Sequence, residues 1–408
     1  MDTLTRRRFL IASGVTGAAA LAAGAGAITW EQLHKAAATD PLPAGSGVLV
    51  LVTLYGGNDG LNTVIPAADP VYQSLRPDLA YSESEVLDLG DGLGLNPAMT
   101  GMHQLWGAGK LAIVRGTGYP NPQFSHFVSM DIWQSASPTD PSTSGWLGRW
   151  LDTQPDDQLR ALRAVSVGGT LPPLLAGTDT AGSSLPLGQF RLPTGELDTS
   201  LRALGNSSPQ DCPYAAYAAH DTADLFTVAG AFGPILPTQQ KLTQQGGQNA
   251  LGQQLDIVAS CIESSVPTQV YSVSLGSFDT HSNEKGTQSK LLGQVSAAVS
   301  AFQQRISTSP RAKDVTLVAY TEFGRRVNAN ANEGTDHGTA GPVFVVGESV
   351  RGGFVGDEPS LSDLNAGDLN FTTDFRSLYA TVLADVLGAD PHRILGADFP
   401  TLALRSAT

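Results

Sequence analysis

The sequence predicts an α/β fold in which helices cover both faces of a mostly parallel sheet. Short apolar and β-branched runs alternate along the chain with segments of helical periodicity, as in folds built from βαβ units. The first run, residues 48–55, is apolar at nearly every position, which is typical of a central strand buried on both faces. We therefore expect a three-layer α/β/α sandwich.

The other elements follow in chain order. Further strands are predicted at residues 111–114, 162–167, 269–275, 315–320 and 343–346. Helices are predicted at 97–108, 126–135, 146–152, 249–263, 288–306 and 374–387. Residues 176–245 are rich in Gly, Pro, Ser and Gln, and we interpret them as an insertion in a single domain that spans 39–408.

The N-terminal residues 1–38 are predicted to be an export signal. Thr5-Arg6-Arg7-Arg8-Phe9-Leu10 precedes a weakly hydrophobic stretch rich in Ala and Gly, and Ala36-Ala37-Ala38 offers small residues for cleavage. This pattern resembles a twin-arginine signal peptide, which implies export of the folded protein by the twin-arginine translocase to the periplasm or the exterior. A transmembrane anchor is the alternative, but the stretch is only marginally long enough to span a bilayer, so we expect no stable membrane anchor.

Composition and charge exclude several classes of protein. The 408 residues carry 24 Lys and Arg against 38 Asp and Glu, a formal net charge of −14, and no basic cluster lies beyond the N-terminus, which argues against a nucleic-acid partner. With 41% hydrophobic residues the chain can bury a substantial core. No P-loop, Gly-x-Gly-x-x-Gly, His-Glu-x-x-His or Gly-x-Ser-x-Gly motif is present. Cys212 and Cys261 form either a disulfide or two small buried side chains.

Candidate metal ligands follow the predicted strands. Because the carboxyl ends of parallel strands meet at one edge of the sheet, carboxylates and imidazoles there could converge on one or two divalent cations. Mixed His and carboxylate ligands suit zinc or manganese, and a carboxylate-rich set suits calcium or magnesium. The candidates are Asp59, Asp279, His281, Glu322, Asp336 and His337.

Each candidate ligand also has a structural interpretation. Asp59, in Gly56-Gly57-Asn58-Asp59-Gly60, could form a turn. Glu322 could pair with Arg325 or Arg326, and the Asp279–His281 segment could be an exposed turn. Asp336-His337 lies in a glycine-flanked loop, where backbone can approach a site closely.

Candidate catalytic residues lie near the start of the helix predicted at 126–135. Ser125 could be the N-cap of that helix, a nucleophile activated by a neighbouring cation, or both. His126 could be a ligand or a general acid. Arg325 and Arg149 are candidates for clamping an oxyanion, with ordinary pairing as the alternative.

Six short motifs together resemble the bacterial domain-of-unknown-function family fifteen-oh-one, whose members are exported by the twin-arginine route and are grouped with the alkaline phosphatase and sulfatase superfamily. The motifs are Gly56-Gly57-Asn58-Asp59-Gly60-Leu61-Asn62, Phe124-Ser125-His126-Phe127, Gly145-Trp146-Leu147-Gly148-Arg149, Phe278-Asp279-Thr280-His281, Glu322-Phe323-Gly324-Arg325-Arg326 and Gly334-Thr335-Asp336-His337-Gly338.

The resemblance implies an alkaline-phosphatase-like sandwich with one or two metals beside a nucleophile. By motif position it implies Ser125 as the nucleophile, Asp59, Asp279 and His281 as ligands, and Glu322 with Asp336 and His337 as the remaining shell. A sulfatase Cys-x-Pro-x-Arg motif is absent, which argues against formylglycine chemistry. We expect an exported metal-dependent hydrolase of phosphate or sulfate esters, borne on a small molecule or a polymer. The alternative is a secreted binding protein that retains the fold and a structural metal.

Overall fold

The computed structural model describes residue 28 and residues 30–139, 144–157, 159–168, 171–187 and 250–405. Within these ranges the helices are α1 (Trp30–Thr39), α2 (Pro70–Leu75), α3 (Thr100–Gly107), α4 (His126–Ser135), α5 (Trp146–Asp152), α6 (Ala250–Glu263), α7 (Glu284–Ser307), α8 (Phe375–Asp385) and α9 (Pro391–Leu395). The described strands are β1 (Val48–Leu54), β2 (Val64–Ile65), β3 (Leu87–Gly90), β4 (Leu93–Leu95), β5 (Leu111–Gly118), β6 (Ala164–Val167), β7 (Ser183–Leu185), β8 (Val270–Leu275), β9 (Val315–Tyr320), β10 (Gly341–Val346), β11 (Gly353–Val355), β12 (Leu364–Asn365), β13 (Asp368–Leu369) and β14 (Thr373–Asp374).

A nine-stranded sheet forms the centre of the molecule, in the order β11-β5-β10-β9-β1-β8-β6-β7, with β14 paired to β5. Neighbouring strands are parallel except that β10 runs antiparallel to both β5 and β9. Smaller sheets, β2-β4-β3 and β12-β13, lie outside it. The predicted mostly parallel sheet is therefore confirmed.

The two faces of β1 pack against different sets of helices. Val48, Val50 and Val52 contribute to a core that also contains residues of α3, α6 and α7. Leu49 and Leu51, which point the other way, contribute to a second core formed with α4, α5 and α8. Because alternate residues of one strand feed two separate cores, the fold is the predicted three-layer α/β/α sandwich.

Three of the predicted features lie partly outside the described residues. Of the predicted leader, residues 28 and 30–38 are described: α1 lies there, with Leu33 and Ala36 buried, and the rest lies outside the described residues. The predicted insertion begins with β7, which is an edge strand of the main sheet, and residues 188–249 lie outside the description. Cys261 is buried in the core, and Cys212 is outside the described ranges. None of the described helices combines the length and apolar character needed to cross a bilayer.

Candidate metal centre

The carboxyl ends of β1, β8 and β9 bring three loops together. Gly56 and Gly57, directly after β1, have φ values of +118° and +67°, which favour glycine. A Cβ atom on Gly56 would lie 2.5 Å from the backbone nitrogen of Asp279, and one on Gly57 would lie 2.3 Å from the Phe323 ring. The two glycines therefore allow the loops after β8 and β9 to pack against the end of β1.

Three donor atoms form a small triangle where these loops meet. His281 Nε2 lies 2.9 Å from Asp279 Oδ1 and 3.0 Å from His337 Nε2, and His337 Nε2 lies 3.2 Å from the same Asp279 oxygen. Ligands held at about 2.0–2.1 Å by zinc in tetrahedral or octahedral geometry lie about 3.0–3.4 Å apart. The triangle thus has the dimensions of three ligands on one cation.

His126 adds a fourth donor. Its Nε2 atom is buried, makes no hydrogen bond, and lies 3.4 Å from Asp279 Oδ2. Ligand atoms of His126, Asp279 and His337 lie within 4.8 Å of one another. The structure therefore brings His126, Asp279, His281 and His337 together, and we refer to these four residues as the His–Asp cluster.

The opposite ring nitrogen of each histidine contacts an oxygen acceptor. Nδ1 of His337 lies 2.6 Å from the carbonyl oxygen of Phe124, Nδ1 of His126 lies 2.8 Å from Glu322 Oε1, and Nδ1 of His281 lies 3.3 Å from Asp336 Oδ1. Since these oxygens can only accept, the contacts favour the tautomer with the proton on Nδ1, which leaves the Nε2 lone pair free for a ligand. This arrangement is common among metal-ligating histidines.

The close approach of the His281 and His337 Nε2 atoms favours a bound positive charge. Two unprotonated Nε2 atoms 3.0 Å apart repel each other unless a proton or a cation lies between them. With neutral imidazoles, the carboxylates of Asp279, Glu322 and Asp336 and the guanidinium of Arg325 sum to 1 − 3 = −2. A divalent cation matches both the donor geometry and this charge, so the residues present fit a metal ion.

The buried Arg325 side chain joins the loops by hydrogen bonds. It donates from Nε to the Gly57 carbonyl (2.6 Å), from Nη1 to the Thr335 carbonyl (2.9 Å) and from Nη2 to Asp279 Oδ1 (2.7 Å). Burial alone would raise the pKa of the Asp279 carboxyl, but Arg325, together with His337 and His281, outweighs it and the pKa is lowered to about 2. Arg325 was predicted to clamp a substrate oxyanion, and in this structure its side chain is fully buried and bonded to these loops.

Glu322 and Asp336 support ligands and do not join the triangle. The Glu322 carboxylate accepts from the Gly56 backbone nitrogen (2.9 Å) and the Thr321 hydroxyl (2.9 Å) as well as contacting His126. Asp336 accepts from Asn330 (3.3 Å) besides contacting His281. Glu322 and Asp336, both predicted as ligands, thus contact Nδ1 of His126 and His281 and orient these rings. The other hydrogen bonds that the two carboxylates accept hold them in these positions.

Asp59 lies in a different environment from the one predicted. Its carboxylate forms an ion pair with Arg76, in which neither side chain is exposed, and also accepts from the Leu61 backbone nitrogen (3.2 Å). Burial would raise the pKa of Asp59, but the Arg76 guanidinium holds it below its usual range. Asp59 was predicted as a metal ligand, and in this structure a buried arginine occupies its carboxylate.

Ser125 and Arg149 lie outside the His–Asp cluster. Ser125 has the backbone position of the α4 N-cap, yet its exposed hydroxyl makes no capping hydrogen bond. The carbonyl of the preceding residue, Phe124, contacts His337, and the following residue, His126, belongs to the His–Asp cluster. Arg149 donates to the carbonyls of Ser135 and Ile394 and is a structural tie.

The sequence analysis did not identify several residues of the site. Phe323 is buried, and its ring centroid lies 4.9 Å from that of His126 and 4.7 Å from that of His337. The Phe124 carbonyl orients His337 through the backbone, which no side-chain pattern reveals. Arg76 lies 17 residues after its partner Asp59 and belongs to no predicted motif.

The chain is similar in fold to several solved structures. By structure it is similar to a protein of the alkaline phosphatase superfamily from Vibrio parahaemolyticus, with 11% identity, a TM-score of 0.40, and coverage of 90% of this chain and 78% of that one. It is also similar to Ps i-CgsB in complex with k-i-k-neocarrahexaose, with 9% identity, a TM-score of 0.40, and coverage of 87% and 75%. For the lipoteichoic acid synthase LtaP from Listeria monocytogenes the identity is 10%, the TM-score 0.29, and the coverage 80% and 74%.

No curated protein matches the sequence. Residues 239–399 match the family model described as "Protein of unknown function (DUF1501)". This segment includes Asp279, His281 and His337 of the His–Asp cluster and Arg325 beneath it. The predicted resemblance to this family of unknown function is thereby confirmed over residues 239–399.

Proposed function

We propose that this protein is an exported hydrolase of phosphate or sulfate esters that uses one divalent cation. The observation that carries the proposal is the His–Asp cluster, in which Asp279 and His337 form a close triangle with His281 and also lie within 4.8 Å of a ligand atom of His126. His126, Asp279, His281 and His337 would hold the cation, which would supply Lewis acidity toward an ester oxygen.

The start of α4 supports an oxyanionic substrate. The Ser125 side chain does not cap this ten-residue helix, so the backbone N–H groups of its first turn are not occupied by the cap. Such groups, together with the helix dipole, bind phosphate or sulfate oxygens. His126, the first residue of α4, belongs to the His–Asp cluster, so the helix terminus and the cluster are adjacent.

Ser125 is the proposed nucleophile. Its hydroxyl is exposed and makes no capping hydrogen bond. In the sequence, Ser125 lies between Phe124, whose carbonyl contacts His337, and His126 of the cluster. Attack of the hydroxyl oxygen on phosphorus or sulfur would release the alcohol and leave the acid group on the serine, and water would then release that group. Glu322 and Asp336 keep His126 and His281 oriented.

Metal analysis combined with turnover tests this function. We expect about one equivalent of a divalent cation, zinc or manganese, in the purified protein, and hydrolysis of an aryl phosphate or aryl sulfate. His337→Ala should lose both metal and activity, because it removes one corner of the triangle. His392→Ala removes an exposed histidine paired with Asp398, and should retain both.

The outcomes separate the alternatives. A metal-free protein that also takes up no added zinc or manganese would contradict the cation site. A protein that binds the metal through His337 but turns over no ester would favour the non-catalytic binding protein.

Export by the twin-arginine route is part of the proposal. A reporter fused to the full chain should reach the periplasm, and the double variant Arg6→Lys, Arg7→Lys should keep it in the cytoplasm. Export that persists in the double variant would contradict this route, whatever the catalytic results.

A further inference from the structure

A cavity lies beside the His–Asp cluster and shares one wall with it. The cavity has a volume of about 90 Å³ and is lined in part by Tyr119, Asn121, Phe323, Asn365, Asn370 and Phe371. We call it the aromatic–amide pocket. Phe323 forms the shared wall, since its ring also packs against the rings of His126 and His337. Phe323 therefore places the pocket directly next to the cluster.

The pocket has aromatic walls and an amide rim. The Phe323 and Tyr119 side chains are buried, and the Tyr119 hydroxyl is already bonded to Ser129 and to the Gln123 backbone nitrogen, so the walls present ring surface. Asn121 and Asn365 are exposed, and within the described part of the chain their side-chain amides make no hydrogen bond. These two amides are therefore available to a ligand.

Apolar surface is concentrated around the same place. In the described ranges the exposed large hydrophobic side chains are Phe124, Phe127, Val128 and Phe371. Phe127, which is 78% exposed, directly follows His126 of the cluster, and Phe371 lines the pocket. Exposed apolar side chains beside a polar cluster are typical of a binding site.

The pocket carries no charged side chain. No lysine, arginine, aspartate or glutamate is among its described lining residues. The nearby Arg325 is buried under the cluster, and Arg326 pairs with Asp368. A second phosphate or a carboxylate would lose hydration here without gaining a counter-charge, so nucleotides and polyphosphates fit poorly.

We propose that the aromatic–amide pocket holds the alcohol part of the ester, and that this part is an uncharged, hydroxyl-bearing ring such as a sugar. This inference rests on the proposed function, because it assigns the reacting ester to the His–Asp cluster. The C–H faces of such a ring pack on Phe323 and Phe371, and its hydroxyls bond to the amides of Asn121 and Asn365. An alkyl chain would bury the same apolar area but would leave those amides unpaired, at a cost in affinity.

Binding of uncharged glycosides to the full chain tests the pocket without requiring turnover. The probes are methyl glucoside, methyl galactoside and methyl mannoside, with hexanol as the apolar comparison, observed by saturation-transfer NMR and titration. At least one glycoside should bind to the wild type, and equally in the presence of a metal chelator, because the pocket needs no metal. Phe371→Ala and Asn365→Ala should each weaken that binding at least threefold.

A matched control separates the pocket from general effects. Phe399→Ala removes a partly exposed phenylalanine that packs on Arg376, and should leave glycoside binding unchanged. The proposal is overturned if none of the glycosides binds, if binding survives both pocket variants, or if hexanol binds more tightly than every glycoside. Glycoside binding without ester turnover would instead refute the proposed hydrolase and leave the pocket's specificity intact.

Discussion

Two polar clusters lie near the same edge of the sheet, and they differ in how their charges are compensated. In the buried cluster, Asp59 pairs with Arg76, and Glu284 lies beside them, all three without exposed side-chain surface. In the His–Asp cluster, the side chains of Asp279 and His281 are 45% and 44% exposed, and Arg325 contacts one oxygen of Asp279. The first cluster contains a buried ion pair, whereas around the second a single arginine faces the carboxylates of Asp279, Glu322 and Asp336.

The comparison teaches how to interpret an acidic residue after a strand. Asp59 and Asp279 follow β1 and β8 in similar polar loops, so position alone does not separate them. What separates them is the arginine contact: Arg76 bonds to both oxygens of Asp59 and neither side chain is exposed, whereas Arg325 bonds to one oxygen of Asp279, whose side chain is 45% exposed. Metal binding is expected only where the compensation is incomplete.

Removal of the internal cation of the buried cluster should have the largest effect. Arg76→Met leaves the Asp59 carboxylate buried without its partner, which should lower the free energy of unfolding by about 3–5 kcal/mol. Chemical denaturation measures this loss. Arg305→Met, which removes one partner of an exposed pair with Glu263, should cost at most about 1 kcal/mol. Equal losses in the two variants would mean that the buried ion pair contributes no more to stability than the exposed one.

The pH dependence of stability should come from the buried cluster. Burial, with the nearby Asp59 charge, raises the pKa of Glu284 to about 9. Glu284 is then neutral in the folded protein at pH 7 and ionised in the unfolded one, so the unfolded state binds fewer protons, and stability falls as the pH rises from about 5 to 9.

Glu284→Gln keeps a neutral side chain of the same shape and should flatten this fall. Denaturant titrations at several pH values measure the slope, and Glu333→Gln, at an exposed position, is the control. If wild type and Glu284→Gln lose stability in parallel between pH 5 and 9, another group is responsible.

The smallest effect on stability is expected at Ser125. Replacement of a capping serine by alanine usually costs about 1 kcal/mol, but the Ser125 hydroxyl makes no capping bond, so Ser125→Ala should change stability by less than about 0.5 kcal/mol while abolishing turnover. Asp374→Ala removes a side chain that does cap α8 and should show the usual cost. If Ser125→Ala lost about 1 kcal/mol of stability and kept its turnover, Ser125 would be a structural N-cap and not the nucleophile.

The elements of the sandwich were largely predictable because their periodicity depends on local burial. The predicted and observed bounds agree at residues 126–135, 146–152 and 315–320. The antiparallel direction of β10 was not predicted, although the chain between β9 and β10 contains no helix, and a parallel crossover needs one. Direction depends on such connections, and the apolar run that marks the strand carries no information about it.

The candidate site was predictable to the extent that its ligands lie in short motifs. Asp279, His281 and His337 lie together as expected, since their loops follow neighbouring strands. The division between ligands and orienting groups was not predictable, because it depends on hydrogen bonds across 196 residues, as between His126 and Glu322. The pairing of Asp59 with Arg76 depends likewise on tertiary packing.

Arg325 has a consequence for how these loops form and open. It bonds to backbone carbonyls of the segments after β1, β8 and β9, among them those of Gly57, Phe278 and Thr335. None of these segments can detach without breaking bonds to the same guanidinium, so their amide protons should exchange with solvent as a single cooperative unit. We therefore expect the centre of the site to open and close as one unit.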